Sequence, residues 1–211
     1  MRETPFINNA YYHIYNRGVD KRTVFEDRRD QDRFLESVAI FNDENSVGSI
    51  FQHKFQDQLL SPSRAKDKLV NIIAYCLNTN HYHLILEQRV DRGIERFMQK
   101  VGAGYTLYFN AKYKRAGVLF QGRFKAKYID TNEYLLYLSA YVNLNFKVHK
   151  LSPSRAKSSL GEYVGTNKDG LCTKEIILNQ FKSGKEYKKD AEGIVEGIAA
   201  RRYDVADLLL E

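Results

Sequence analysis

The spacing of apolar and polar positions along the chain predicts the element order strand–helix–strand–strand–helix–strand–helix. Residues 10–18 alternate and end in Arg-Gly, which is typical of a strand that enters a turn. In 27–43, apolar residues recur at helical spacing behind acidic residues at the start. Residues 44–69 are polar and aperiodic, which predicts a long surface loop. The later elements are strands at 69–77, 81–88 and 117–130, helices at 93–114 and 131–146, and helical segments at 174–181 and 185–211.

This order predicts an α+β protein with a ferredoxin-like βαββαβ core, in which helices cover one face of an antiparallel sheet. Only the residues Asn-Thr-Asn separate 69–77 from 81–88, so these two strands are expected to form an antiparallel hairpin. The helix at 131–146, capped by Thr131 or Asn132, is an addition to that core. A small helical tail follows it.

A pair of histidines on the third strand is the first candidate for chemistry. Side chains alternate across a strand, so His81 and His83 stand side by side on one face, with Tyr82 on the other. Two neighbouring imidazoles can chelate a metal ion or can simply be two surface histidines. A metal site also needs at least a third ligand. His13, on the neighbouring first strand, is interpreted as a structural histidine.

The added helix offers the missing groups. Tyr141 and Asn145 are four residues apart and so share one helical face. If this face docks over the histidine strand, Asn145 brings an amide oxygen and Tyr141 a hydroxyl group. Tyr134 and Tyr137 lie on the same helix, and sequence geometry does not exclude Tyr137. Tyr141 is favoured because the Asn145 amide lies one helical turn after it.

Composition adds a polyanionic partner to this picture. The 211 residues carry a formal net charge of +7, and 15 Tyr and 12 Phe occur without any Trp. Aromatic rings among basic residues suit stacking on unpaired bases beside phosphate contacts. Each such residue can equally be a solvated charge or a core ring. The candidate nucleic-acid contacts are Arg115, Phe120, Gln121, Arg123, Lys125 and Lys127, with Phe124 and Tyr128 as further rings.

Localisation follows from what the sequence lacks. It has no apolar run of about 18 residues and no apolar N-terminal segment, so we expect a cytoplasmic protein. A DNA partner would make it nucleoid-associated. Cys76 and Cys172 are then expected to be free thiols in a reducing compartment.

Taken together, these motifs resemble a known family. The segment NHYHLIL resembles the histidine–hydrophobe–histidine (HUH) motif of single-tyrosine nucleases. Followed by FQGRF and EYLLYLSAYVNLN in this order, it is similar to the REP-associated tyrosine transposases, relatives of the smallest bacterial insertion-sequence transposases. The resemblance runs from about Tyr11 to Tyr163. Thr79 and Phe146 stand where the family usually has proline, which predicts altered loop geometry.

The resemblance implies roles for the candidate residues. His81, His83 and Asn145 would bind a divalent ion, Mg²⁺ or Mn²⁺, and Tyr141 would be the nucleophile that forms a 5′-phosphotyrosine with single-stranded or hairpin DNA. It implies a nuclease and strand-transferase domain at 1–165, followed by the tail at 166–211.

Several alternatives stay open. One is a non-catalytic binder of hairpin DNA or RNA on the same fold. Another is a metal-dependent hydrolase that activates water, with Tyr141 as a spectator. Both a monomer and a homodimer are compatible with the sequence. The segment LSPSRAK occurs twice, at 60–66 and 151–157, and is expected to lie in surface loops.

Overall fold

The computed structural model describes residues 5–45, 68–152, 155–167 and 170–200. Within these ranges, five strands form one sheet in the order β4-β1-β3-β2-β5, and all neighbouring strands are antiparallel. The strands are β1 (Tyr11–Arg17), β2 (Val70–Leu77), β3 (His81–Gln88), β4 (Lys125–Ile129) and β5 (Lys157–Ser158). The first four strands have the ferredoxin-like order, so the predicted α+β fold is confirmed.

Helices lie on both faces of the sheet. They are α1 (Arg28–Ile40), α2 (Gly93–Lys112), α3 (Asn132–Asn143), α4 (Asn145–Val148), α5 (Leu160–Tyr163), α6 (Glu175–Leu178) and α7 (Gly184–Ala200). Phe34 of α1 and Tyr105 of α2 pack on each other, and Phe34 also packs on Tyr82 of β3, with ring centroids 5.1 Å apart in both pairs. The face opposite Tyr82 carries the two β3 histidines and is covered by α3.

The helix boundaries follow from local capping. The Asp27 carboxylate accepts a hydrogen bond from the Asp30 amide at 3.0 Å and so begins α1. The Thr131 hydroxyl accepts one from the Tyr134 amide at 3.2 Å and begins α3. Of the two caps proposed from the sequence for this helix, Thr131 is therefore the one used.

Two elements differ from the sequence prediction. Only Lys125–Ile129 of the expected strand 117–130 is regular, because Gly117 and Gly122 adopt φ values of +84° and +71°, which turn the chain. The expected helix 131–146 ends at Asn143. Leu144, with φ −113° and ψ 14°, then interrupts it before the one-turn helix α4 begins at Asn145.

The C-terminal part packs against the core. Helix α7 lies along α3 and also contacts α4 and α5, and Tyr187, Ala191 and Val195 of α7 are buried in the common core. Most of the expected loop 44–69, the first LSPSRAK copy and the end of the helix expected at 185–211 lie outside the described residues. The second LSPSRAK copy ends in strand β5 at Lys157.

Cys76 and Cys172 are free and buried, as expected. None of the helices in the described ranges has the length and apolar character needed to cross a membrane.

Candidate active site

Three histidines meet on one face of the central strands. In the antiparallel register Tyr15 of β1 lies opposite His83 of β3, and Arg17 lies opposite His81. Residues directly opposite each other point to the same face, so His13, two positions before Tyr15, shares that face as well. All three histidines are buried.

Hydrogen bonds define the tautomer of His81. Its Nδ1 lies 2.7 Å from Oδ1 of Asn80, whose amide nitrogen donates to the Lys21 carbonyl. Because an amide oxygen only accepts, Nδ1 carries the proton. Burial lowers the pKa of His81 to about 3, so the ring is neutral near pH 7 and Nε2 keeps a lone pair. His81 is therefore held in the form that binds a metal ion.

His83 is oriented by His13. Its Nδ1 lies 2.9 Å from Nε2 of His13, and the two rings are stacked with centroids 5.1 Å apart. Burial lowers the pKa of both rings, to about 3 for His13. With the shared proton on Nδ1 of His83, its Nε2 has a lone pair. This Nε2 is buried and has no hydrogen-bond partner within the described part of the chain. His13, interpreted from the sequence as structural, thus sits directly behind a candidate ligand.

The other two candidate groups come from either side of the helix break. Tyr141 is in the last turn of α3, whereas Asn145 begins α4, so the expected shared helical face is interrupted at Leu144. Both side chains nevertheless reach the histidines. The Tyr141 ring lies edge-on to His83 with centroids 5.6 Å apart, and Asn145 Oδ1 lies 3.3 Å from Nε2 of His81.

Tyr141 is completely buried in this arrangement. Burial raises the pKa of its hydroxyl well above the usual value, and a hydrogen bond with Asn145 opposes this rise. The other two tyrosines of the helix, Tyr134 and Tyr137, are half-buried on the same element. Lys127 Nζ lies 5.4 Å from the centre of the Tyr134 ring.

The donor set suits a small divalent ion. Across the described ranges, no group of three or more His, Cys, Asp or Glu side chains could hold a metal. A metal ion on His81 and His83 would therefore need a third ligand of another type. The Asn145 amide oxygen is such a ligand. Two donors that each lie about 2.1 Å from one ion at a right angle are about 3 Å apart, close to the 3.3 Å between His81 Nε2 and Asn145 Oδ1. With Nε2 of His83, which has no hydrogen-bond partner among the described residues, these atoms have the donor chemistry that a divalent ion needs.

The candidate nucleic-acid contacts divide by exposure. Gln121, Arg123, Lys125 and Lys127 are exposed. Lys125 lies opposite Tyr15 and Lys127 opposite His13, so these two lysines belong to the histidine face of the sheet. Phe124 is half-buried and Tyr128 is exposed.

Two other candidates are engaged in the fold. Phe120 is buried and its ring packs edge-on against Tyr82 at 5.5 Å. Arg115 donates to Oδ1 of Asn110 at 2.8 Å and packs over the ring of Phe109. The Arg115 contacts hold the turn that follows α2.

The sequence reasoning missed two polar residues beside the histidines. Asn78, in the turn before β3, is buried and places its amide nitrogen 2.8 Å from Nε2 of His81. His149 packs edge-on against His81 with ring centroids 4.7 Å apart. The spacing Tyr141, Asn145, His149 was a signal for the second residue, since it repeats every four positions.

Sequence comparison gives the family. The model of the family described as "Transposase IS200 like" matches residues 6–145, which include the histidine strand, the tyrosine helix and Asn145. The chain belongs to this family. No curated protein matches this chain.

A solved structure resembles the transposase in fold. It is that of a REP-associated tyrosine transposase bound to a REP hairpin, with a TM-score of 0.53 and 11% sequence identity. The alignment covers 82% of the transposase described here and 97% of the other chain. At this identity the likeness concerns the fold.

Proposed function

We propose that the transposase is a metal-dependent endonuclease and strand transferase that cleaves single-stranded or hairpin DNA through a 5′-phosphotyrosine. One observation carries this proposal. The Tyr141 ring lies against His83, while His81 Nε2 and Asn145 Oδ1 lie 3.3 Å apart. The candidate nucleophile and the candidate neutral ligands thus lie together in one chain, which supports a site that is complete in a monomer.

His81, His83 and Asn145 would hold Mg²⁺ or Mn²⁺. When bound there, the ion would withdraw charge from the scissile phosphate and align it. Imidazole nitrogens tolerate Mn²⁺ and other transition ions, and the amide oxygen suits both Mg²⁺ and Mn²⁺. His13 and Asn80 orient the two imidazoles from behind, as partners of metal-binding histidines generally do.

The bond changes involve Tyr141 directly. Its hydroxyl oxygen forms a bond to phosphorus and loses its proton, while the bond from phosphorus to the 3′ oxygen breaks and leaves a free 3′-hydroxyl. The phosphotyrosine keeps the energy of the phosphodiester, so a second 3′-hydroxyl can reverse the reaction and join a new strand. The Asn145 amide lowers the pKa of Tyr141 against the effect of burial, which favours the ionised nucleophile.

The exposed side chains of Gln121, Arg123, Lys125 and Lys127 would contact the DNA. Two of them share the sheet face of the histidines. A path from the basic groups to the tyrosine is therefore short. The resemblance in fold to a protein solved with a REP hairpin supports a hairpin as the substrate.

A second function is favoured by one feature. Tyr141 is completely buried and burial raises its pKa, which suits a non-catalytic hairpin-binding protein better than a poised nucleophile. A catalytic Tyr141 must become accessible when DNA binds.

Covalent trapping tests the proposal. The protein is incubated with Mn²⁺ and hairpin oligonucleotides labelled on the 3′ side of candidate cleavage sites, and adducts that survive denaturation are counted. We expect an adduct on Tyr141, none in Tyr141→Phe, and an adduct in the matched variant Tyr137→Phe. Mass spectrometry of the peptide that covers 134–145 identifies the tyrosine. An adduct on Tyr137, or one that persists in Tyr141→Phe, would contradict the assignment. Hairpin binding without any adduct would favour the non-catalytic function.

The metal ligands are tested separately. His81→Ala or His83→Ala should abolish the adduct while hairpin affinity changes by no more than roughly threefold, because phosphate contacts dominate affinity. Cleavage and binding are measured on the same oligonucleotide, and circular dichroism checks the fold. A folded variant that loses both would show that the histidines act in binding.

A further inference from the structure

Asn78 occupies a central position among the candidate ligands. It lies in the three-residue turn between β2 and β3, and its side chain is completely buried. Its backbone amide donates to the His81 carbonyl at 2.9 Å, which fixes the turn. Its side-chain nitrogen lies 2.8 Å from His81 Nε2 and also donates to Asn145 Oδ1.

The amide group of Asn78 therefore bridges two candidate metal ligands. His81 Nε2 is a lone-pair atom because Nδ1 carries the proton, and Asn145 Oδ1 is an acceptor. The two N–H bonds of Asn78 satisfy both buried acceptors, which would otherwise cost free energy in the metal-free protein. They do so at the point where the two ligands converge.

The oxygen of the same amide is held more loosely. The contact to Oδ1 of Asn78 comes from the Cys76 thiol, whose Sγ lies 3.6 Å away. A thiol is a weak donor. A half-turn of the amide about its Cβ–Cγ bond exchanges Nδ2 for Oδ1 while the backbone stays in place. This half-turn would direct an uncharged oxygen ligand toward His81 and Asn145.

We propose that Asn78 is a fourth ligand of the metal site, through its Oδ1. The proposal rests on the proposed metal-dependent function and extends it. In the metal-free protein, the Asn78 amide holds His81 and Asn145 in position through its N–H groups. With the ion bound, these two residues are satisfied by coordination, and the amide turns to present its oxygen. Two imidazole nitrogens and two amide oxygens suit Mn²⁺ or Mg²⁺ and leave positions for phosphate oxygens.

Metal binding to the DNA-free protein tests this role. Mn²⁺ affinity is measured by calorimetry for the full chain and for Asn78→Asp and Asn78→Leu. A carboxylate in place of the amide should bind the ion at least about tenfold more tightly, because it is a charged oxygen ligand. Leucine has similar size without a ligand atom and should weaken binding about tenfold. Thermal unfolding in EDTA and in Mn²⁺ verifies the fold, and Asn78→Asp should show the larger stabilisation by Mn²⁺.

Asn132→Asp is the matched control for charge. It puts a carboxylate at an exposed position at the start of α3, outside the site. Its effect on Mn²⁺ affinity should be no more than about threefold, because exposed charges are screened by salt. Equal gains for Asn78→Asp and Asn132→Asp, or no gain for Asn78→Asp, would overturn the proposal while leaving the three-ligand site intact. Absence of Mn²⁺ binding to the unmodified protein would overturn the metal site itself.

Discussion

The site depends on imidazoles that stay uncharged in the protein interior. Burial lowers the pKa of His13 and His81 to about 3 and that of His83 well below its usual value. A protonated ring would lose the lone pair that a ligand needs. The Asn80 amide and the His13 ring orient the two candidate ligand rings.

Buried neutral histidines make folding stability depend on pH. Their pKa is about 6.5 in the unfolded chain and lower in the folded protein, so below about pH 6.5 the unfolded chain binds more protons. The folding stability that depends on neutral histidines is present above pH 6.5 and is lost as the pH falls toward 3. Over this pH range, we expect the free energy of unfolding to fall by up to about 1.4 kcal/mol per pH unit for each histidine. Urea unfolding between pH 7.5 and 5 in EDTA measures it.

His13→Gln is the control for this pH dependence. It removes one titrating ring and keeps a side chain able to bond to Nδ1 of His83. The slope should decrease by about one histidine's share. An unchanged slope would mean that His13 does not contribute.

Helix α3, which carries Tyr141, is held from two sides. Its inner side packs on the sheet, and its outer side packs against α7. Asn143, at the end of α3, donates to the Tyr187 hydroxyl at 2.7 Å and accepts from the Ser159 hydroxyl at 2.6 Å. All three side chains are buried. The C-terminal helix thereby fixes the position of the tyrosine helix over its own sheet.

Removing the Tyr187 hydroxyl should loosen this attachment. Tyr187→Phe leaves the Asn143 amide without its acceptor in the interior, which costs about 1–3 kcal/mol of folding stability. Chemical unfolding measures the loss, and hydrogen exchange should show faster exchange in α3. Tyr128→Phe, which alters an exposed tyrosine, should change the stability by less than about 0.5 kcal/mol. Equal stability of the two variants would show that the Tyr187 bond contributes nothing.

The sequence predicted the elements with strong periodicity and missed features that depend on single residues. The pairing of His81 and His83 could be predicted because strand alternation assigns both side chains to one face. The break at Leu144 was not, since the apolar pattern continues through it. Asn78 looked like an ordinary turn residue, because asparagine is common in turns. Its contact with Asn145 joins positions 67 residues apart, which no local pattern encodes.

At the scale of the whole molecule, basic side chains of strand β4 lie close to the histidines of the candidate site. The formal net charge is +7. Exposed Lys125 and Lys127 follow the edge of the histidine face, with Lys125 Nζ 6.0 Å from the centre of the Tyr15 ring. Tyr15 in turn stacks with His83 at 6.0 Å. Phosphate contacts at β4 would therefore guide a strand toward the histidines.

This arrangement should favour folded single strands over plain duplex. Attack by tyrosine requires an exposed, distorted backbone, and aromatic rings beside the basic groups reward unpaired bases. A hairpin with a single-stranded flank should bind more tightly than a blunt duplex of the same length, measured by fluorescence anisotropy across a salt series. Equal affinity at matched salt would contradict this expectation.

The same salt series tests which lysines contact phosphate. The double variant Lys125→Ala/Lys127→Ala should weaken hairpin binding and reduce the slope of log affinity against log salt by about 1.4–1.8, because each lost phosphate contact accounts for about 0.7–0.9. Lys189→Ala, an exposed lysine on α7, should leave the slope unchanged. If the double variant kept the full slope, the DNA would have to follow another surface. The short path from β4 to Tyr141 would then not be the route of the substrate.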